Sequence, residues 1–188
     1  MKIAVFYYDE FAEFEIVLAC LLFKSQGHEI VSVALEKRDY RSEEGQRFCV
    51  DHLLEEVEPG SIDLLIVPGG NPEPLVNNPV IKRFVEEMLA RDKKVAGICG
   101  GAAILAGTGF LDGKRCTGLS SGREPGSAEF QYFSGSTFLD DYVVVDGNMI
   151  TAQGQAYVEF AFELARQMGL SKKEEEYAAG IRWFKNMR

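Results

Sequence analysis

Val95-Ala96-Gly97-Ile98-Cys99-Gly100-Gly101-Ala102-Ala103 is the stretch that says most about this chain. The apolar run over 94–98 predicts a buried strand, and the small residues after Cys99 predict a helix. Gly97 and Gly101 flank Cys99 in the spacing of a nucleophile elbow, with Cys in place of Ser. Such a turn would leave the sulfur at the positive end of a helix, which favours a thiolate. The alternative is a structural cysteine in an ordinary glycine-rich turn.

Strand-like and helix-like segments alternate along the chain, which is typical of an α/β fold with a mostly parallel sheet. The turn sequence Asp146-Gly147-Asn148 adds one antiparallel hairpin. We expect a single domain over residues 1–188, because no repeat and no linker divides the chain. The predicted strands cover 2–8, 29–35, 48–50, 62–67, 94–98, 115–117, 142–145 and 149–151, and the predicted helices cover 14–26, 79–91, 100–106, 157–168 and 172–186.

Composition excludes several classes of function. The net charge is -9 and no basic patch offsets it, so a nucleic-acid partner is disfavoured. No apolar run is long enough to span a membrane. Met1-Lys2 leads directly into the first predicted strand rather than into a signal peptide, so we expect a cytoplasmic protein.

The four cysteines predict free thiols rather than a metal site or a disulfide framework. Cys20, Cys49, Cys99 and Cys116 form no C-x-x-C pair and lie near no histidine at metal-ligand spacing. We therefore expect neither a metal nor another cofactor. Cys20 and Cys49 are interpreted as packing residues. Cys116, just beyond the elbow helix, is interpreted in the same way, with a resolving thiol as the alternative.

Ligands of open α/β sheets collect at the carboxyl ends of the parallel strands, where Cys99 and the loop Pro68-Gly69-Gly70 are predicted to meet. The N–H groups of Gly70 and Gly100 would form an oxyanion hole there, unless the glycines only make a tight turn. Glu15 lies in the apolar run 14–18, which leaves it little room to avoid burial. A half-buried glutamate near a thiolate has a raised pKa and holds a proton near neutral pH.

Histidine is the residue that this site lacks. A Cys–His dyad needs an imidazole within hydrogen-bond reach of the sulfur. The only two histidines, His28 and His52, neither adjoin Cys99 nor follow it. Both are interpreted as surface or structural residues.

Four segments together resemble the ThiJ/PfpI superfamily, also called the DJ-one superfamily, which is class I glutamine amidotransferase-like. They are Tyr8-Asp9-Glu10-Phe11-Ala12-Glu13-Phe14-Glu15, Val67-Pro68-Gly69-Gly70, Ala96-Gly97-Ile98-Cys99-Gly100-Gly101 and Thr151-Ala152-Gln153-Gly154. The resemblance covers the chain and implies a flavodoxin-like three-layer sandwich, commonly a homodimer. It places the elbow nucleophile on Cys99, the acidic partner on Glu15 and the oxyanion glycine on Gly70.

The chain departs from that family at its histidines. Protease-like and deglycase-like members have His directly after the nucleophile, where this chain has Gly100. The DJ-one branch has a His after the elbow helix, and the matching position here is Gly118. The resemblance therefore supports the fold and the site residues, and it gives poor support to peptidase or amidase activity.

The sequence leaves three hypotheses for function. Cys99 and Glu15 could act on small electrophiles such as reactive aldehydes, in a glyoxalase- or deglycase-like reaction. Alternatively, Cys99 could be oxidised to sulfenic and then sulfinic acid, which would make the protein a redox sensor or an oxidative-stress protectant. In the third hypothesis, the protein is a non-catalytic binding or chaperone-like dimer that has retained the elbow without its catalytic role.

Overall fold

A seven-stranded sheet forms the centre of the computed structural model, which describes residues 1–171 and 173–186. Its strand order is β10-β11-β7-β6-β1-β2-β5, and two small two-stranded sheets, β3-β4 and β8-β9, lie outside it. The strands are β1 Lys2–Phe6, β2 Glu29–Ala34, β3 Tyr40–Arg41, β4 Arg47–Phe48, β5 His52–Leu53, β6 Leu64–Val67, β7 Lys94–Ile98, β8 Arg115–Cys116, β9 Thr137–Phe138, β10 Val143–Asp146 and β11 Met149–Ala152.

Every pair in the central sheet is parallel except the β10-β11 hairpin. The order β2-β1-β6-β7-β11 is the 2-1-3-4-5 order of flavodoxin-like sheets, so the predicted fold class is confirmed. All four residues of β6 are buried, as expected for a strand that is covered on both faces.

The helices cover both faces of the sheet because right-handed crossovers leave β1 and β6 in opposite directions. On one face α1 packs against α5, and on the other α2 and α3 pack against β7. Asn78 caps α2 by accepting hydrogen bonds from the N–H groups of Val80 and Ile81. The helices are α1 Phe14–Ser25, α2 Pro79–Ala90, α3 Gly100–Ala106, α4 Ala128–Tyr132, α5 Tyr157–Gln167 and α6 Glu174–Phe184.

Several short elements differ from the sequence prediction. The strand predicted over 48–50 is Arg47–Phe48, paired with Tyr40–Arg41, and β5 was not predicted. The segment 118–136 contains α4 and leads into β9, although its glycines and serines predicted no element. Two-residue strands and a five-residue helix are too short to show a hydrophobic period. The last helix begins at Glu174, and Lys172, its predicted first residue, lies outside the described residues.

Helix α1 is apolar on its outer face as well as on its inner face. Phe14, Val17 and Leu21 are 45%, 51% and 55% exposed, and they recur at helical spacing. Tyr157 and Phe184 line the same groove. A helix that is apolar all round is normally covered on all sides, so this face is a candidate contact surface.

None of the helices in the ranges 1–171 and 173–186 combines the length and the apolar character that crossing a membrane requires.

Candidate active site

The candidate site lies where β1, β6 and β7 end at one edge of the sheet. Cys99 follows β7 directly, with φ 55° and ψ -121°. Positive φ is rare for a residue with a side chain, and holding it costs about 1–3 kcal/mol. The turn is fixed by its backbone, since the Cys99 N–H donates to the Ala152 carbonyl at 2.8 Å. This geometry is that of the strand-to-helix elbow predicted from the sequence.

The elbow glycines are required by close backbone packing. A Cβ at Gly101 would lie 2.1 Å from the Val67 carbonyl oxygen, and one at Gly97 would lie 2.8 Å from the Gly101 oxygen. A larger residue at either position would push α3 away from the sheet. The backbone therefore explains the Gly-x-Cys-x-Gly spacing without reference to function.

Glu15 extends from the first turn of α1 to the sulfur of Cys99. Its side chain is buried, its Oε2 accepts the N–H of Gly69 at 2.7 Å, and its carboxyl group lies beside the Cys99 thiol, whose interaction with it lowers the carboxyl pKa. A Cβ at Gly154 would lie 2.7 Å from Glu15 Oε1 and 3.2 Å from Cys99 Sγ. Only glycine leaves room for both groups at that position, so the carboxyl and the thiol share one narrow space.

Burial raises the pKa of both groups. Desolvation raises the pKa of Glu15 to about 7, against the lowering effect of hydrogen bonds from Gly69 and Cys99. Burial and then the negative charge of Glu15 raise the pKa of Cys99 to about 12, while the N–H of Gly100 lowers it. The expectation of a resting thiolate is opposed by both of these raising effects. It counted the helix end and left out the burial of the thiol beside a carboxylate.

The two groups titrate as one unit because each shifts the pKa of the other. Near pH 7 the pair loses its first proton, and above that pH a single proton remains between carboxyl and sulfur. With the proton on sulfur, Glu15 is a base beside a thiol. With the proton on Glu15, the sulfur is a thiolate beside an acid. The same protonation state thus holds both a base and a nucleophile.

The structure brings Gly70 and Gly100 together, as the oxyanion-hole prediction requires. A Cβ at Gly100 would lie 2.2 Å from the Gly70 carbonyl oxygen and 3.3 Å from the Gly70 nitrogen. Gly70 has φ 123°, a conformation that side chains rarely adopt. The N–H of Gly100 has a lowering effect on the pKa of Cys99. Their role towards an oxyanion stays a prediction.

Neither histidine lies near Cys99. His28 directly precedes β2, so it lies at the amino end of the strand, with its Nδ1 3.3 Å from the N-terminal amine. His52 begins β5, four strands away from β7.

A phenylalanine occupies the place that the resemblance assigns to a histidine. A Cβ at Gly118 would lie 3.1 Å from Phe133 Cζ, 3.1 Å from Ala102 Cβ and 3.5 Å from the Cys99 carbonyl oxygen. Phe133 is buried and stacks edge-on against Phe138. An imidazole at residue 118 would have to displace this ring. No sequence pattern marks Phe133, because it lies in the segment for which no element was predicted.

A second residue missed by the sequence analysis is Tyr8, which holds the loop that carries Gly69. Its hydroxyl lies 2.6 Å from the Gly69 carbonyl oxygen and 3.0 Å from that of Pro68. The ring is buried, and burial raises its pKa well above the usual value. Tyr8 therefore acts as a neutral hydrogen-bond donor that fixes the loop.

The other three cysteines are free thiols outside the site. Cys20 is partly buried in α1, and burial raises its pKa to about 11. Cys49 is exposed. Cys116 is buried, with its sulfur 3.1 Å from the Ser136 hydroxyl.

The profile of the DJ-1/PfpI family matches residues 1–167. Among curated proteins, the deglycase PfpI of Pyrococcus furiosus is 31% identical over 154 residues, which are 81% of this chain and 90% of that protein. The protein/nucleic acid deglycase 2 of Escherichia coli is 28% identical, over 79% of this chain and 86% of its own. Among solved structures, the DJ-1 superfamily protein Atu0886 of Agrobacterium tumefaciens has a TM-score of 0.84 and 28% identity, with complete coverage of both chains.

The raised pKa of Glu15 predicts a specific dependence of stability on pH. The folded state keeps this proton up to about pH 7, whereas the unfolded chain loses it near the ordinary value of 4.5. The stabilising contribution is therefore complete below pH 4.5 and lost as pH rises through 7. Between pH 4 and 8 the wild type should lose about 3 kcal/mol more unfolding free energy than Glu15→Gln.

Urea unfolding at a series of pH values measures this difference. Glu86→Gln removes an exposed carboxylate on α2 and serves as the control, whose profile should follow the wild type. Parallel profiles for wild type and Glu15→Gln would contradict the raised pKa.

Proposed function

This chain belongs to the DJ-1/PfpI family, and from that premise we propose that Cys99 and Glu15 act on small reactive carbonyl compounds in a deglycase- or glyoxalase-like reaction. The observation that carries the proposal is that the buried Glu15 carboxyl group and the Cys99 sulfur share one narrow space beside Gly154. The two deglycases at 31% and 28% identity support the same reaction class.

The chemistry begins with addition of the sulfur to an aldehyde carbon. The S–C bond forms as the carbonyl π bond breaks, and the thiol proton passes through Glu15 to the carbonyl oxygen. The N–H groups of Gly70 and Gly100 stabilise the oxygen while it is negative. The product of this step is a neutral hemithioacetal on Cys99.

A 2-oxoaldehyde allows the reaction to continue without a redox partner. Glu15 removes the proton from the former aldehyde carbon, and the neighbouring carbonyl oxygen is protonated to give an enediol. Return of a proton to the neighbouring carbon, with loss of the proton from the hydroxyl group on the sulfur-bearing carbon, gives a thioester of a 2-hydroxy acid. Water then cleaves the S–C bond, releases the acid and restores the thiol. The net reaction adds one water to the dicarbonyl.

The titration of the pair favours this enzyme over a peroxide sensor. Oxidation by peroxide requires a standing thiolate, and burial beside Glu15 raises the pKa of Cys99 to about 12. Addition to a bound aldehyde needs the thiolate only at the moment of attack, when Glu15 has taken the proton of the thiol. The arrangement therefore suits a bound electrophile better than it suits oxidation of the resting protein.

We also propose that a second copy of the chain covers the outer face of α1. The support is its exposed apolar stripe of Phe14, Val17 and Leu21, which Phe184 extends. Isologous pairing needs a self-complementary surface, and two apolar helices provide one. Phe14 neighbours Glu15, so the second copy would border the entrance of the site.

Methylglyoxal is the substrate that tests the proposal. Wild-type protein should convert it to lactate, Cys99→Ser should reduce turnover to background, and Glu15→Gln should lose about a hundredfold, because proton transfer by a positioned group contributes that much. Lactate is quantified with a coupled assay. Cys49→Ser removes an exposed thiol outside the site and should retain full activity. Equal turnover in wild type and Glu15→Gln would exclude this mechanism.

Peptide hydrolysis should be absent. Cleavage of an amide needs a general acid that protonates a poor amine leaving group, and an imidazole commonly supplies it. Gly100 and Gly118 stand at the two positions where the family has histidine, and Phe133 fills the space beside Gly118. We expect no hydrolysis of casein or of coumarin-labelled peptides. Robust cleavage that disappears in Cys99→Ser would overturn this expectation.

The proposed dimer should dissociate when a charge enters the α1 stripe. Leu21→Glu places a carboxylate within an apolar contact, where its desolvation is unfavourable. Sedimentation velocity should show a dimer for wild type and a monomer for Leu21→Glu. Phe130→Glu changes another exposed aromatic residue, on α4, and should remain dimeric. A monomeric wild type at micromolar concentration would contradict the proposal.

A further inference from the structure

The turn between β3 and β4 lies beside the candidate site. Phe11 forms bridge contacts with Ser42 on one side and with Gly70 on the other. The N–H of Glu43 donates to the Phe11 carbonyl at 3.0 Å. Adjacent strands are about 4.8 Å apart, so two such steps join the turn to Gly70 within about 10 Å. Glu43 is thereby placed near the two groups that perform the proposed chemistry.

Hydrogen bonds to α1 hold this turn in place. The carboxylate of Glu44 accepts the N–H groups of Glu13 at 3.3 Å and Phe14 at 3.4 Å, at the first turn of the helix. The buried Ser42 donates its hydroxyl to Glu13 at 3.3 Å. Glu44 and Ser42 are thus occupied in anchoring the turn, whereas the exposed Glu43 side chain lies between them.

The charge of Glu43 reaches every titratable group of the site. It raises the pKa of Glu15, of Cys99 and of Tyr8. Within the described part of the chain, two arginines close to this turn are engaged elsewhere: Arg41 donates to the Gly45 carbonyl at 3.1 Å, and Arg38 pairs with Asp9 and Glu36. The field at the entrance is therefore negative: Glu43 contributes to it at all three groups, and the exposed Glu44 adds to it at Glu15.

We propose that Glu43 determines which substrates reach Cys99, by excluding anions and admitting neutral or positively charged carbonyl compounds. This inference rests on the proposed function, and it narrows the substrate class. Uncharged 2-oxoaldehydes, and aldehyde adducts of amines that keep a positive charge, fit the entrance. Carboxylates such as 2-oxo acids are repelled.

The test compares two alkylating reagents that differ in charge. Iodoacetamide is neutral, iodoacetate is an anion, and both alkylate the same sulfur by the same displacement of iodide. The ratio of their rates at Cys99 isolates the field at the entrance, because any change in the pKa of the thiol affects both rates equally. Mass spectrometry of the peptide that contains Cys99 gives the two rates, without requiring turnover.

Removal of the Glu43 charge should lower the preference for iodoacetamide. One unit charge at about 10 Å changes the ratio by about two- to fivefold at low salt, and less at high salt. We expect this decrease in Glu43→Gln and a larger one in Glu43→Lys. Glu86→Gln makes the same charge change on α2 and should leave the ratio unchanged.

An unchanged ratio in both Glu43 variants would overturn the inference. That result leaves the proposed function intact if methylglyoxal turnover still depends on Cys99. If methylglyoxal turnover is absent but the ratio of the two alkylation rates still responds to Glu43, only the proposed function fails. If neither reagent alkylates Cys99, both the inference on Glu43 and the proposed function are contradicted.

Discussion

The close approach of the Glu15 carboxyl group to the Cys99 thiol is the interaction on which the site depends. A buried carboxyl group is costly unless it is bonded or protonated, and here the Gly69 N–H and the thiol are its partners. Burial that raises the pKa of Glu15 to about 7 brings its proton into the physiological range. The same burial keeps Cys99 protonated at rest, so the reactive form of the sulfur exists only when Glu15 takes the proton.

The fold brings these groups together at the point where the strand order reverses. Glu15 follows β1, the loop with Gly69 follows β6, and Cys99 follows β7, so three neighbouring strands deliver the site from distant parts of the sequence. Glycines at 69, 101 and 154 leave the space, because a Cβ at each would collide with a site group or with the backbone. The strained backbone of Cys99 is held by the neighbouring β11.

The sequence predicts those elements that have a hydrophobic period or are bounded by glycine. The sheet, the elbow at Cys99 and the helix that begins at Pro79 follow from local pattern and strand order, and the family resemblance adds Glu15 as the partner of the sulfur. The pKa of Cys99 does not follow from the sequence, because desolvation depends on neighbours that only the folded chain supplies. Phe133 and Glu43 were missed for a similar reason: each lies in a short irregular segment, and the sequence does not show which buried group faces it.

The most direct measurement is an infrared titration of the Glu15 carboxyl group, identified as the protonated C=O signal that is absent in Glu15→Gln. We expect a midpoint near pH 7 in the wild type. We expect a higher midpoint in Cys99→Ala, because the thiol no longer lowers the pKa of the carboxyl group. A midpoint near the ordinary value of 4.5, or one that Cys99→Ala leaves unchanged, would contradict a shared proton between Glu15 and Cys99.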